Sequence, residues 1–129
     1  MSAIPGLDFF LGEEIDMLRE SVAGFAGKEI APRAAEADRT DEFPMDLWRK
    51  FGDMGLLGLT VAEEYGGSGM GYLAHIIDIE EISRADGGIG MFHGAHPNLR
   101  VNVIHPNGSD EAKDQLLPNT GAGKYAYRM

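Results

Sequence analysis

No cysteine occurs among the 129 residues. Disulfide stapling and thiolate chemistry are therefore excluded. Positive charge is scarce as well: 11 Lys and Arg stand against 21 Asp and Glu, a net charge of −10, and 14 of the acids precede Tyr72. Such a surface repels phosphate backbones and anionic lipid, so nucleic acid is not an expected partner. Long apolar runs are missing too. No stretch approaches the roughly twenty apolar residues of a membrane span, and membrane insertion is not expected. The N-terminus has no basic segment ahead of an apolar one, as a secretory signal would. The expected compartment is the cytoplasm, or the mitochondrial matrix for a chain whose leader has been removed. Low-complexity tracts and internal repeats are absent, and 43% hydrophobic residues suffice for one packed domain.

What is present is helical patterning. Residues 1–12 read as an N-terminal arm, with Pro5-Gly6 as a turn and Phe9, Phe10 and Leu11 available for docking. From Glu13 to Ile30, Ile15, Leu18, Val22 and Phe25 fall on one stripe, and Glu13, Glu14 and Asp16 occupy the first turn, where the helix dipole favours anions. Pro32 is expected to end that helix. Ala31 to Glu42 reads as a polar connector with room for one helical turn through Arg33 to Asp38. Pro44 is placed to open the next helix, Phe43 to staple it and Gly55 to terminate it; Leu47, Trp48, Phe51 and Met54 form its apolar side. Leu56 to Val61 reads as buried extended chain, and Glu63 to Gly71 as a loop with four glycines.

The centre of the chain is Leu73 to Asn107. Leu73, Ala74, Ile76, Ile77, Ile79 and Ile82 recur at three- and four-residue steps, the pattern of a helix apolar on several sides and hence buried. Asp86-Gly87-Gly88 breaks it. A second, glycine-rich arm runs from Ile89 to His105, with Pro97 in its middle, where a proline bends a helix. Pro106-Asn107-Gly108 stops it. Ser109 then caps a short helix to about Leu116, which Pro118 ends. Lys124 to Tyr127 is strand-like. The expected fold is all-α, a bundle of about five helices over residues 13–118, followed by a tail over residues 119–129.

No complete active site is visible in the residues themselves. Gly66, Gly67, Gly69 and Gly71 precede a helix but lack the spacing and the strands of a dinucleotide fingerprint, so a plain turn is the better reading. His93 and His96 share a helix face, yet no carboxylate on that arm completes a metal set, and no metal site is expected. Glu63-Glu64 and Glu80-Glu81 are sequence neighbours that point apart, which suits solvated or salt-bridged acids rather than an acid–base dyad.

A set of ordered motifs does carry a resemblance. Glu29-Ile30-Ala31-Pro32-Arg33-Ala34, Glu42-Phe43-Pro44, Leu47-Trp48-Arg49-Lys50-Phe51-Gly52, Met54-Gly55-Leu56-Leu57-Gly58, Glu63-Glu64-Tyr65-Gly66-Gly67-Ser68-Gly69 and Glu80-Glu81-Ile82-Ser83-Arg84 together resemble the N-terminal helical domain of the acyl-CoA dehydrogenases. Gly94-Ala95-His96 and Asn98-Leu99 resemble the isovaleryl-CoA dehydrogenase branch, although Phe92, His93 and Pro97 depart from it. The resemblance implies, for a complete enzyme, α,β-dehydrogenation of an acyl-CoA with FAD as hydride acceptor and an electron-transfer flavoprotein as electron partner. The flavin-contacting β-domain and the glutamate-bearing bundle of that family have no counterpart in these residues, so FAD is not expected on this chain alone. What the resemblance assigns here is part of the acyl pocket: Met91, Gly94, Ala95 and Asn98. Their i, i+3, i+4, i+7 spacing is that of one helix face. Close helix packing is an equal reason for small residues at 94 and 95. Self-association is expected from uncovered apolar surface. The rival reading is a non-catalytic helical interaction module that binds itself or a protein partner.

Overall fold

A computed structural model describes residues 9–124. Among them no residue lies in a strand, and the all-α expectation holds. Seven α-helices follow in order: α1 Glu13–Phe25, α2 Ala34–Thr40, α3 Met45–Asp53, α4 Gly71–Ala85, α5 Gly87–His96, α6 Asn102–Asn107 and α7 Asp110–Gly121. Short π and 3-10 segments join several of them, so α1 with α2, and α5 with α6, each form one unbroken helical run. The strand-like tail from Tyr125 lies outside the described residues.

The stripe on α1 behaves as its spacing requires. Ile15 and Val22 are buried, while Leu18 and Phe25 pack partly buried against the core. Pro32 does not end this run. A π segment, Ala26–Ile30, and a 3-10 turn, Ala31–Arg33, carry the chain into α2. The chain passes Pro32 by changing helical form, from the wide π turn before it to the 3-10 turn that contains it.

The start of α3 confirms the staple. Pro44 is its N-cap, and the Phe43 ring meets Trp48 edge-on at a 6.2 Å centroid distance. Gly55 closes α3 at φ 75°, a left-handed turn that a side chain would strain. Leu56 to Val61 is buried as expected but not extended: Leu56–Gly58 is a 3-10 turn. A tight turn lets four apolar residues, Leu56, Leu57, Leu59 and Val61, reach the interior without a neighbouring strand to satisfy their backbone.

The central hairpin pairs α4 with α5. Its break is sharper than the glycine pair suggests, because Gly87 and Gly88 already belong to α5. Asp86 makes the corner and caps α5, its Oδ1 accepting the Ile89 N–H at 2.7 Å. One expectation fails: α4 is not buried all round, since Leu73 is 44% and Ile76 60% exposed. Its interior face mixes Ala74, Ile77 and Ile82 with the polar His75, Asp78 and Glu81. A proline at position 97 does leave a mark. The run widens into a π segment over Pro97–Val101, the helical form that accommodates a missing amide donor. Finally, α7 begins at the Ser109 cap, whose hydroxyl accepts the Ala112 N–H at 3.2 Å. It continues past Pro118 to Gly121, five residues beyond the expected end.

Three apolar clusters hold these elements together. The main one joins Val22, Ala26 and Ile30 to Leu47, Trp48 and Phe51, and then to Leu56, Leu57, Leu59, Ile82 and Ile89. Ile15, Ala74 and Ile77 bind α1 to α4, and Val61, Val101 and Leu117 bind the second arm to α7.

Candidate functional site

The residues singled out in the second arm do not share one environment. Met91 is 69% exposed and Asn98 is exposed, whereas Ala95 is half-buried and Gly94 is fully inside. A Cβ at Gly94 would stand 3.0 Å from Ile79 Cδ1, so position 94 turns toward α4. The same holds one turn earlier, where a Cβ at Gly90 would lie 2.8 Å from Ser83 Cα. Glycines four apart therefore let α4 and α5 approach closely, a packing reason for small residues.

The outward face of the run is a different set. Met91, Ala95, Leu99 and Val103 recur at four-residue steps, and the last two are 58% and 52% exposed. The sequence does not single out Leu99, because a regular helix over Met91 to Asn98 does not anticipate the π segment. A widened turn shifts the phase of every residue beyond it. Asn98 sits at the edge of this face, its Oδ1 accepting from Asn102 Nδ2 at 3.4 Å, while Asn102 Oδ1 accepts the Thr60 hydroxyl at 2.6 Å.

Behind that face lies a polar seam. His93 Nε2 stands 2.5 Å from Asp78 Oδ2, and both side chains are fully buried. With the carboxylate accepting, Nε2 carries the proton; Asp78 Oδ1 and His93 Nδ1 have no partner. His93 packs on Phe51 at 4.5 Å between ring centroids, and His96 meets Trp48 edge-on at 4.7 Å. Burial pushes the His96 imidazole down to about 4; the Thr120 backbone pulls weakly the other way. His75 is also held below the ordinary histidine range, chiefly by burial, against the opposing pull of Asp78. No hydrogen bond of normal geometry reaches either of its ring nitrogens. Among the described residues no three His, Asp or Glu side chains gather as metal ligands.

Of the paired glutamates, Glu80 and Glu81 are salt-bridged, and Glu63 and Glu64 are exposed. Arg19 on α1 donates to Glu80 at 2.9 Å and also to the buried Glu81, and Arg84 lies 3.1 Å from Glu80. The glycine-rich segment before α4 is a turn, with Ser68 N–H on the Gly58 carbonyl at 3.0 Å and Gly69 N–H on that of Val61 at 2.9 Å.

One cleft of ≈ 700 Å³ opens between α2 and the start of α5. Phe43, Met91 and Phe92 line it together with the acids Asp38, Asp41, Glu42 and Asp86. Four carboxylates around a cleft oppose the diphosphate of a flavin dinucleotide, so this lining does not fit FAD.

The comparisons agree with an all-helical domain. The family model "Acyl-CoA dehydrogenase, N-terminal domain" matches residues 12–124. Isovaleryl-CoA dehydrogenase of Solanum tuberosum is 51% identical over 109 residues, which are 83% of this chain and 26% of that protein. The enzyme of the same name from Pongo abelii is 44% identical over 117 residues, 89% of this chain and 28% of that one. Among solved structures, glutaryl-coenzyme A dehydrogenase in complex with glutaryl-CoA superposes with a TM-score of 0.87 at 32% identity, covering 93% of this chain and 31% of that one. The chain belongs to the acyl-CoA dehydrogenase family, as its N-terminal domain. It spans under a third of the length of these relatives.

Proposed function

We propose that this chain serves as the N-terminal domain of an FAD-dependent dehydrogenase that introduces an α,β double bond into a short, branched acyl-CoA such as isovaleryl-CoA. It supplies one wall of the acyl pocket and is not catalytic alone. The supporting observation is the open apolar face of α5, with Met91 and Ala95 at its centre and Asn98 at its edge, on a chain similar to isovaleryl-CoA dehydrogenases. Met91 and Ala95 meet the acyl branch, Asn98 closes the far end, and Gly94 lets the helix sit close enough behind. The flavin and the catalytic base belong to other parts of the complete enzyme, which hands its electrons to an electron-transfer flavoprotein. The complete enzyme is a homo-oligomer.

Heteronuclear NMR tests the wall directly. Isovaleryl-CoA added to the labelled chain is expected to shift the signals of Met91, Ala95 and Asn98, weakly, because the opposite wall is not in this chain. Acyl-CoA that moves no signal on α5, or only signals on the far side of α1, rejects the assignment. A second reading is favoured by the exposed Met17, Leu73 and Ile76 on α1 and α4: a helical interaction module that binds itself or a partner. Light scattering across a wide concentration range separates the two. Self-association through α1 and α4 with an inert α5 face supports the second reading.

A further inference from the structure

Along the seam with α4, α5 contributes two glycines: Gly90 lies against Ser83 and Gly94 against Ile79, and neither contact has a side chain on the α5 side. Elsewhere α5 is held by Ile89 in the main apolar cluster and by Phe92 against Phe43 and Trp48. Next to the Gly94 level sits the sole hydrogen bond between side chains of α4 and α5 among the described residues, His93 Nε2 to Asp78 Oδ2. It is buried completely, so any rotation that parted the two would leave a polar pair unsatisfied in the core.

We infer that Asp78 and His93 are positioning residues: their hydrogen bond sets the rotation of α5 and thereby keeps Met91 and Ala95 on the open face and Ile89 inside. That this face meets an acyl group rests on the function proposed above; the lock itself does not. The surroundings make the lock specific. Phe51 packs against the His93 ring and fixes its plane. Ile89 and Met91 stand on opposite sides of α5, one 3% and the other 69% exposed, so a change in rotation exchanges their environments. Apolar packing of Ile89 and Phe92 tolerates small changes of angle at small cost, whereas the buried hydrogen bond is made at one angle only.

The absence of cysteine makes the rotation measurable, since any thiol introduced is the only one present. Three single-cysteine proteins are needed: Met91→Cys on the open face, Ile89→Cys on the buried face, and Val22→Cys in the core of α1 as a control. Each is combined with Asp78→Val and, separately, with Asp78→Asn, which keeps an acceptor oxygen for Nε2. A thiol reagent reports their rates. With Asp78 intact, position 91 reacts far faster than position 89 and position 22 stays protected. With Asp78→Val, the ratio of the 91 rate to the 89 rate is expected to fall about tenfold or more while position 22 remains protected, the mark of a local change. With Asp78→Asn the ratio is expected to hold. An unchanged ratio in Asp78→Val overturns the inference. So does loss of protection at position 22 in step with position 89, because the pair would then support the whole fold and not the angle of one helix. A ratio that falls in Asp78→Asn as in Asp78→Val overturns the hydrogen bond as the cause. Acyl-CoA plays no part in this measurement, so its outcome is independent of the proposed substrate.

Discussion

Two regions of this small domain solve the same packing problem with opposite materials. Where the helical run from α1 to α2 meets α3, the contact is apolar inside and charged outside. Val22, Ile30, Leu47 and Phe51 are buried, and the rim carries Arg33 on Asp46 at 2.7 Å and Lys50 on Glu29 at 2.6 Å. Where α4 meets α5, polar groups enter the interior. His75, Asp78 and His93 lie inside beside Ile82 and Ile89, while Leu73, Ile76 and Met91 face outward. Apolar packing tolerates small misfits at small cost, whereas a buried polar pair is satisfied in one arrangement only. The first contact supplies stability; the second supplies a defined orientation for an outward face.

The comparison can be broken at several points, and the largest effect is expected in the apolar half. Phe51→Ala removes a ring that contacts Phe25, Trp48 and His93, and should cost about 3–5 kcal/mol in a urea melt. A loss below ~1 kcal/mol would show that the core collapses around the gap, contrary to its close packing.

Next comes the polar half under acid. His96 is buried neutral, with its folded value near 4 against an ordinary 6.5. The unfolded chain therefore binds a proton that the folded one refuses between those values. Stability is unaffected above about pH 6.5 and falls as the pH drops toward 4, by on the order of 3 kcal/mol from this residue. His75, lowered by the same cause, adds to the loss in the same direction. Melts from pH 7.5 to 4.5 read the slope. His96→Phe should flatten it, and a slope unaltered by that change would assign the acid sensitivity elsewhere.

Glycine substitutions sharpen the contrast by changing sign. Gly90→Ala drives a methyl into Ser83 and should destabilise by about 1–3 kcal/mol. Gly24→Ala, on the exposed side of α1 with nothing within 4 Å, should stabilise by up to about 1 kcal/mol. Equal effects at the two positions would mean that helix propensity, and not the α4–α5 approach, decides both. The smallest effect belongs to the rim. The Arg33 guanidinium holds Asp46 below the usual carboxylate range, yet the pair is half exposed. Asp46→Ala should cost under ~1 kcal/mol, less still in high salt.

The apolar half is legible from spacing alone. Periodicity puts Ile15, Val22, Leu47, Trp48 and Phe51 in the interior, and they are interior. The Phe43 staple, the Ser109 cap and the Gly55 terminator are each readable because one residue type and one position suffice. The polar half is not legible. His93 and Asp78 lie fifteen residues apart on different helices, so no local pattern ties them. Periodicity also places Leu73 and Ile76 inside, wrongly, because it counts apolar faces without knowing which face is covered. Proline is a weaker stop than its missing donor suggests: Pro32 and Pro118 both stand within helical runs whose neighbouring turns absorb them.

The π segment at Pro97–Val101 has a consequence for how this helix can change over time. Such a segment holds one residue more than the α-helical turn it replaces. It is in effect an insertion that the fold has already accommodated, and removing a single residue there would restore an ordinary turn instead of breaking the helix. Side chains beyond the deletion would keep the directions they have now, because the widened turn already compensates for its extra residue. A length change of one codon can thus be absorbed at this place while α5, the buried seam and the rest of the outward face stay where they are.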